Sequence, residues 1–162
     1  MPYWQLYYHI VWTTRNRQPW LTSEVETIIY RIIRAKANDL EGVVFALNGT
    51  ADHTHLVVAI PPKMAVATFI GQVKGVASAL FNKEHPGEIP FAWQAEYGAF
   101  SFDKKRLPNV VAYVERQKEH HRESKIIPIL ERWEGDQAPI VQEVAEVYAI
   151  EDDDWFQAML LL

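Results

Sequence analysis

The chain has 162 residues, of which 49% are hydrophobic, and this is enough for one domain with its own core. It contains no cysteine, which excludes disulfides and thiolate metal sites, so a bound metal would need nitrogen or oxygen ligands, as Mg²⁺ or Mn²⁺ prefers. The net charge is −5, yet residues 1–126 carry 15 Lys and Arg against 12 Asp and Glu, whereas residues 127–162 carry one Arg against nine acids. We therefore divide the chain into a mildly basic domain, residues 1–126, that is compatible with phosphate contacts, and an acidic C-terminal extension, residues 127–162.

The sequence shows no feature of a secreted or membrane protein. The apolar start, residues 1–12, has neither a basic segment before it nor a small-residue cleavage site after it. No apolar run reaches the ~18 residues that a membrane span requires. We expect a soluble, cytoplasmic protein that does not contact a membrane.

The first third of the chain predicts one strand, one helix and a hairpin. Residues 3–14 are rich in aromatic and β-branched types, which favours a long strand. The Thr-Ser pair at 22–23 can cap a helix whose apolar residues recur at helical spacing up to about Leu40. Two apolar runs, 43–49 and 51–60, are separated by a very short polar turn and predict a hairpin.

The middle of the chain predicts two further helices around one more strand. Residues 65–83 have a helical apolar period, and residues 91–102 predict one strand or two short ones broken at Gly98. Pro108 suits the first turn of a third helix, residues 108–123.

The resulting order is β-α-β-β-α-β-α. It predicts an α+β fold of the ferredoxin-like, split βαβ type, with an antiparallel sheet and helices on one face. The third helix follows this unit.

The motif His53-Thr54-His55 is the sharpest local feature of the sequence. Side chains two apart on a strand project to the same face, so the two imidazoles can converge on one metal ion. The alternative is two partly buried histidines, each satisfied by a hydrogen bond.

The third predicted helix adds Tyr113 and Gln117, which are four residues apart and therefore share one helical face. A tyrosine that attacks phosphorus needs its hydroxyl beside a cation that neutralises the developing charge, and a Gln carbonyl is a suitable oxygen ligand. The alternative for Tyr113 is an ordinary packed aromatic residue. His120 and His121, further along the helix, fit a solvated or phosphate-facing helix end better than a metal site.

Four blocks of the sequence occur together in the order and approximate spacing of one known family. They are HTHLVVAIPP, FIGQVKGVASALF, FAWQAEYGAFSF and VVAYVERQKEHH. Over about residues 3–122 the chain resembles the HUH single-tyrosine transposases, in particular the IS200-like and REP-associated members.

The resemblance implies a function and a role for each matching residue. His53, His55 and Gln117 would hold a divalent metal, Mg²⁺ or Mn²⁺, and Tyr113 would be the catalytic nucleophile. The family nicks single-stranded DNA, usually hairpin-forming, through a 5′-phosphotyrosine link and then rejoins it, and its members are typically homodimers. The middle residue of the HUH motif is usually bulky and apolar, but Thr54 suits a strand and should point away from the metal.

Several other residues are candidates for DNA contacts on chemistry alone. Trp93 and Tyr97 have rings that can stack on an unpaired base, although burial in the core is the more ordinary role for Trp93. The candidate phosphate contacts are Arg15, Arg17, Lys74, Lys104, Lys105, Arg106, His120 and His121.

Three other functions share parts of this pattern. A DNA or RNA hairpin-binding protein of the same fold would not need the complete set of His53, His55, Tyr113 and Gln117. A hydrolase that activates water would not need Tyr113. A structural protein of this fold would hold its histidines by hydrogen bonds and bind no metal.

Overall fold

The computed structural model describes residues 2–123, and these residues form a four-stranded antiparallel sheet with four α-helices. The predicted extension 127–162 lies outside the described residues. The strands and helices, in chain order, are β1 Tyr7–Thr13, α1 Ser23–Asp39, β2 Val43–Gly49, β3 His53–Ala59, α2 Val66–Glu84, β4 Gly98–Phe102, α3 Leu107–Glu115 and α4 Gln117–Glu123.

The sheet has the strand order β2-β3-β1-β4, with every neighbouring pair antiparallel. β1 and β3 are the central strands, and each is paired on both sides. This is the predicted split βαβ arrangement, so the fold class is confirmed. In the described part of the chain, no helix is both long and apolar enough to cross a bilayer.

One face of the sheet, which we call the core face, packs against α1 and α2. Helix α1 begins where predicted, because the Thr22 side chain accepts a hydrogen bond from the Val25 amide at 3.4 Å. Alternate strand residues, among them Ile10, Trp12 and Leu56, fill the space beneath the two helices. The burial of this apolar cluster is the main stabilising contribution to the fold.

The opposite face, which we call the site face, is covered by α3. Its smaller apolar cluster consists of Ala46, Val57, Val110, Tyr113 and Val114. The sheet therefore carries helices on both faces, with α3, which contains Tyr113, on the side away from α1 and α2.

Three predicted elements differ from the structure. The first strand begins at Tyr7 rather than residue 3, and residues 91–97 are joined to the sheet by an isolated bridge between Thr14 and Trp93 rather than by a strand. The single helix predicted over 108–123 is interrupted at Arg116, whose amide is shared among several carbonyls of the preceding turn.

Gly49 allows the β2–β3 hairpin to close tightly. A Cβ atom at this position would lie 2.1 Å from the His53 carbonyl oxygen and 2.9 Å from the Tyr30 hydroxyl. Only glycine permits this approach, which brings the end of β2 against the start of the His-Thr-His motif.

Candidate metal site and nucleophile

The alternation of β3 places the two histidines of the motif on the site face. His53 and His55 are buried, and their ring centroids are 5.1 Å apart with the ring planes at 70°. The Thr54 side chain points to the core face, where its hydroxyl lies 3.4 Å from that of Tyr30. Thr54 thus points away from the two imidazoles, as predicted.

His53 is oriented by a carboxylate beside it. Its Nδ1 lies 2.7 Å from Asp52 Oδ1 and 2.8 Å from the Thr50 hydroxyl, and Arg17 Nε donates to Asp52 Oδ2 at 3.2 Å. The hydrogen bond from His53, aided by that from Arg17, holds the pKa of Asp52 well below its usual range despite partial burial. A carboxylate on Nδ1 fixes the ring and leaves Nε2 as the nitrogen suited to a metal.

His55 is oriented by a second histidine, His9, on the neighbouring strand β1. His9 Nε2 lies 2.8 Å from His55 Nδ1, and the two rings stack with centroids 5.0 Å apart. One proton is shared in this contact, and when His55 donates it from Nδ1, its Nε2 is the acceptor nitrogen of the ring. Both histidines of the motif therefore have their Nδ1 engaged by the protein.

Tyr113 and Gln117 come from α3 and α4 and reach the same region within one chain. The Tyr113 ring packs edge-on against His55, with centroids 6.3 Å apart, and Tyr113 is only 3% exposed. Gln117 is fully buried, and its Nε2 points back to the Tyr113 carbonyl oxygen at 3.5 Å. The structure thus places His53, His55 and Tyr113 in contact on the site face, and Gln117 is buried one turn beyond Tyr113.

The donor set of the site fits a divalent cation. Gln117 Oε1 is buried and has no hydrogen-bond partner among the described residues, which is costly for an amide oxygen unless a cation or donor binds there. The described residues contain no group of three His, Cys, Asp or Glu side chains able to hold a metal, so the candidate set consists of two imidazoles and this amide oxygen. Such mixed nitrogen and oxygen ligands suit Mn²⁺ or Mg²⁺.

The candidate DNA-contacting residues are distributed over three places. Exposed Arg15 lies with Arg17 just after β1, at the end of the sheet where Thr13 pairs with His53. The basic turn of Lys104, Lys105 and Arg106 follows β4 at the opposite end, about 20 Å away by the rise of six strand residues. The side chains of His120 and His121 are outside the described part of the structure.

Lys74 lies on the core face and is used by the protein itself. Its ammonium donates to the carbonyl oxygens of Gln94 at 2.7 Å and of Glu96 at 3.2 Å, and the residue is 7% exposed. This geometry favours a structural role over a phosphate contact. Trp93 is buried, and its indole nitrogen donates to the Lys74 carbonyl oxygen at 3.0 Å, whereas Tyr97 is half-buried.

Sequence reasoning missed His9, Asp52 and Asn48. Asp52 directly precedes the motif, so adjacency was an available signal for it. His9 meets His55 only through the register of β1 on β3, and Asn48 faces His55 through the register of β2 on β3. The His9 contact joins strands distant in sequence and leaves no local pattern, whereas the Asn48 pairing follows from the short β2–β3 hairpin.

Comparison with known proteins identifies the family. Residues 2–117 match the model of the family described as "Transposase IS200 like". This match covers more than half of the chain and includes His53, His55, Tyr113 and Gln117. The chain belongs to the IS200-like transposase family.

Two relatives show how far the likeness extends. The transposase for insertion sequence element IS200 of Salmonella typhimurium is 29% identical over 91 residues, covering 56% of this chain and 59% of that protein. The chain thus matches somewhat over half the length of that relative. The ISDra2 transposase TnpA of Deinococcus radiodurans is 26% identical over 124 residues, covering 70% of this chain and 85% of that protein.

Two solved structures share the fold. A Deinococcus radiodurans protein assigned as a transposase matches with a TM-score of 0.58 and 22% identity, over 72% of this chain and 95% of that one. A REP-associated tyrosine transposase, solved with a REP hairpin, matches with a TM-score of 0.57 and 13% identity, over 78% of this chain and 76% of that one. At these identities the likeness supports the fold alone.

Proposed function

We propose that this protein nicks and rejoins single-stranded DNA, with Tyr113 as nucleophile beside a divalent metal bound by His53, His55 and Gln117. The observation that supports the proposal is the Tyr113 ring 6.3 Å from that of His55, together with a buried amide oxygen on Gln117 that has no hydrogen-bond partner among the described residues. Membership of a transposase family supports the same reaction.

The chain's own residues suggest how the reaction would run. The Tyr113 oxygen forms a bond to phosphorus as the bond from phosphorus to the 3′-oxygen breaks, the phenol proton passes to solvent, and the 3′-oxygen gains a proton. The products are a 5′-phosphotyrosine and a free 3′-hydroxyl. A phenoxide, whose parent acid has a pKa of about 10, is a reasonable leaving group, so a DNA hydroxyl can reverse the link without external energy.

A bound divalent metal would supply positive charge against the charge that develops on the phosphate. The protein orients both histidines by contacts to their Nδ1 atoms, from Asp52 for His53 and from His9 for His55. Two ordered rings lose less conformational freedom on binding an ion than two mobile rings would.

The proposed substrate is a hairpin-forming single strand. One structural neighbour was solved with a REP hairpin. Arg15 and Arg17, next to the candidate site, are the best-placed cations to receive the phosphates of its single-stranded part. Lys104, Lys105 and Arg106 would serve a more distant part of the strand.

The expected assembly is a homodimer, as is typical of the family that the sequence resembles. Within one chain the Tyr113 ring already packs against His55. A partner subunit would therefore add DNA-binding surface or exchange elements rather than complete a deficient site. Light scattering of the purified protein with and without hairpin DNA tests this assembly.

The reaction is tested with hairpin oligonucleotides that carry randomised single-stranded flanks and a fluorophore at the 3′ end, incubated with Mn²⁺. A 5′-phosphotyrosine retains the labelled 3′ segment on the protein, so wild type and the control Tyr8→Phe should give a labelled band that survives denaturation. Tyr113→Phe should reduce this band by about 10³-fold or more while still retaining DNA in a gel shift.

Each other outcome points to a different function. Cleavage by Tyr113→Phe at the wild-type rate would indicate a hydrolase that uses water. DNA binding without an adduct from the wild-type protein in any pool would indicate a hairpin-binding protein and would overturn the proposal.

A further inference from the structure

The side chain of Asn48 attaches the junction between α3 and α4 to β2. Its Nδ2 donates to the Glu115 carbonyl oxygen at 2.9 Å, and its Oδ1 accepts from Lys118 Nζ at 2.6 Å. These two contacts bracket Gln117 in the sequence. Asn48 also pairs directly with His55 across the β2–β3 ladder. One residue therefore links the strand position of one proposed ligand to the helix that carries another.

Lys118 extends this attachment to α1 and to the hairpin. Its ammonium also donates to Glu26 Oε1 at 2.8 Å and to the Gly49 carbonyl oxygen at 3.2 Å. The Glu26 side chain is 15% exposed, whereas that of Lys118 is 55% exposed. We call Asn48, Lys118 and Glu26 the junction clamp.

The break at Arg116 creates the need for such a clamp. In a continuous helix, backbone hydrogen bonds would fix Gln117 relative to Tyr113 one turn earlier. Here the two residues belong to separate helices, and the hydrogen bonding that would join them is interrupted at Arg116. Contacts from outside α4 therefore help to set the position of Gln117 relative to Tyr113.

We infer that Asn48 and Lys118, with Glu26 as the acidic partner of Lys118, are positioning residues that hold Gln117 Oε1 in the metal site. This inference rests on the proposed function, because it assumes that Gln117 is a ligand. It assigns to the clamp no contact with DNA or metal. The clamp acts only through the placement of Gln117.

The test is the affinity for Mn²⁺ of the full-length protein without DNA, followed by the electron paramagnetic resonance signal of free Mn²⁺. Asn48→Ala removes both hydrogen bonds of the Asn48 side chain, to Glu115 and to Lys118, and should weaken Mn²⁺ binding by about tenfold. Lys118→Met should weaken it by up to about fivefold, and Lys118→Arg should restore most of the loss. Lys83→Met, an exposed lysine at the end of α2, is the matched control and should bind Mn²⁺ as wild type does.

A double-substitution cycle with Gln117→Ala separates positioning from a general loss of structure. If the clamp acts through Gln117, then Asn48→Ala and Lys118→Met should cause no further loss of Mn²⁺ affinity in the Gln117→Ala background. A loss of equal size in both backgrounds would overturn the inference. So would unchanged Mn²⁺ affinity in both single variants, or tighter Mn²⁺ binding by either of them.

A second measurement keeps this inference separate from the proposed function. Hydrogen–deuterium exchange of a peptide covering residues 113–119 should be faster in Asn48→Ala and Lys118→Met than in wild type and Lys83→Met. If wild type binds no Mn²⁺, the proposed function fails in its metal requirement. The clamp is then judged by exchange alone, and unchanged exchange rates overturn it.

Discussion

The two faces of the sheet are built from the same four strands but bury side chains of different chemical character. Under α1 and α2, the core face is filled by large apolar side chains such as Ile10, Trp12 and Leu56. Under α3, the site face buries His9, His53 and His55 next to a much smaller apolar cluster. The alternation of strand side chains lets each central strand serve both faces at once.

The difference indicates that the two faces carry separate tasks. Burying polar groups costs free energy unless each is hydrogen-bonded, so a face selected for stability alone would resemble the core face. On the site face, bonds from Asp52 and His9 offset part of that cost. Substitutions on the core face should therefore change stability, and substitutions on the site face should change metal binding.

The largest expected effect comes from the core face. Trp12 is fully buried and packs edge-on against Trp93, with ring centroids 5.8 Å apart. Trp12→Ala should lower the free energy of unfolding in urea by about 3–5 kcal/mol, and Trp12→Phe should lower it less. Mn²⁺ affinity of the folded fraction should stay unchanged. A large loss of affinity in Trp12→Phe would show that the two faces are not independent.

The next effect comes from His9 on the site face. His9→Phe keeps a ring stacked on His55 but removes the hydrogen bond to its Nδ1. Mn²⁺ affinity should fall by about 10- to 100-fold, while the midpoint of thermal unfolding changes little. Wild-type affinity in this variant would mean that His55 does not depend on His9 for its orientation.

A smaller effect is expected from Asp52. Asp52→Asn leaves an oxygen that can accept from His53 Nδ1 but removes the negative charge, so Mn²⁺ affinity should fall by about tenfold. Asp103→Asn, at the opposite end of the sheet, is the matched control and should bind Mn²⁺ normally. Equal behaviour of the two variants in calorimetric titration would contradict this role for Asp52.

The smallest effect concerns Lys74, the buried cation on the core face. Burial lowers the pKa of Lys74 to about 8, whereas an unfolded chain has a lysine pKa of about 10.4. Between these values the unfolded state binds more protons, so this group makes the free energy of unfolding rise with pH over about 8 to 10.4. Urea unfolding of wild type and Lys74→Met from pH 7 to 10 measures the difference, and parallel curves would contradict the prediction.

The sequence predicted the fold well because its signals were local. Hydrophobic period, the cap at Thr22 and the short hairpin turn each act within a few residues, and together they define the split βαβ order. The His-Thr-His spacing likewise placed both imidazoles on one face. The assignments of Tyr113 and Gln117 drew on the family resemblance, and their chemical roles remain proposals.

The elements predicted wrongly depend on tertiary contacts. Residues 91–97 have the composition of a strand, but carbonyl oxygens of Gln94 and Glu96 bind the Lys74 ammonium instead of a neighbouring strand. The break at Arg116 is not marked in the sequence by a helix-breaking glycine or proline. Its position coincides with the Asn48 contact to Glu115, which comes from a strand some 70 residues earlier.

The burial of Tyr113 bears on the lifetime of any covalent intermediate. A side chain that is 3% exposed meets few water molecules. If Tyr113 forms the proposed phosphotyrosine link, this burial would protect the link from hydrolysis and preserve the free energy of the broken DNA bond until another strand end arrives. A long-lived covalent intermediate distinguishes a joining enzyme from a nuclease. Both begin with the same cut, and they differ in whether a DNA hydroxyl or water reaches phosphorus next.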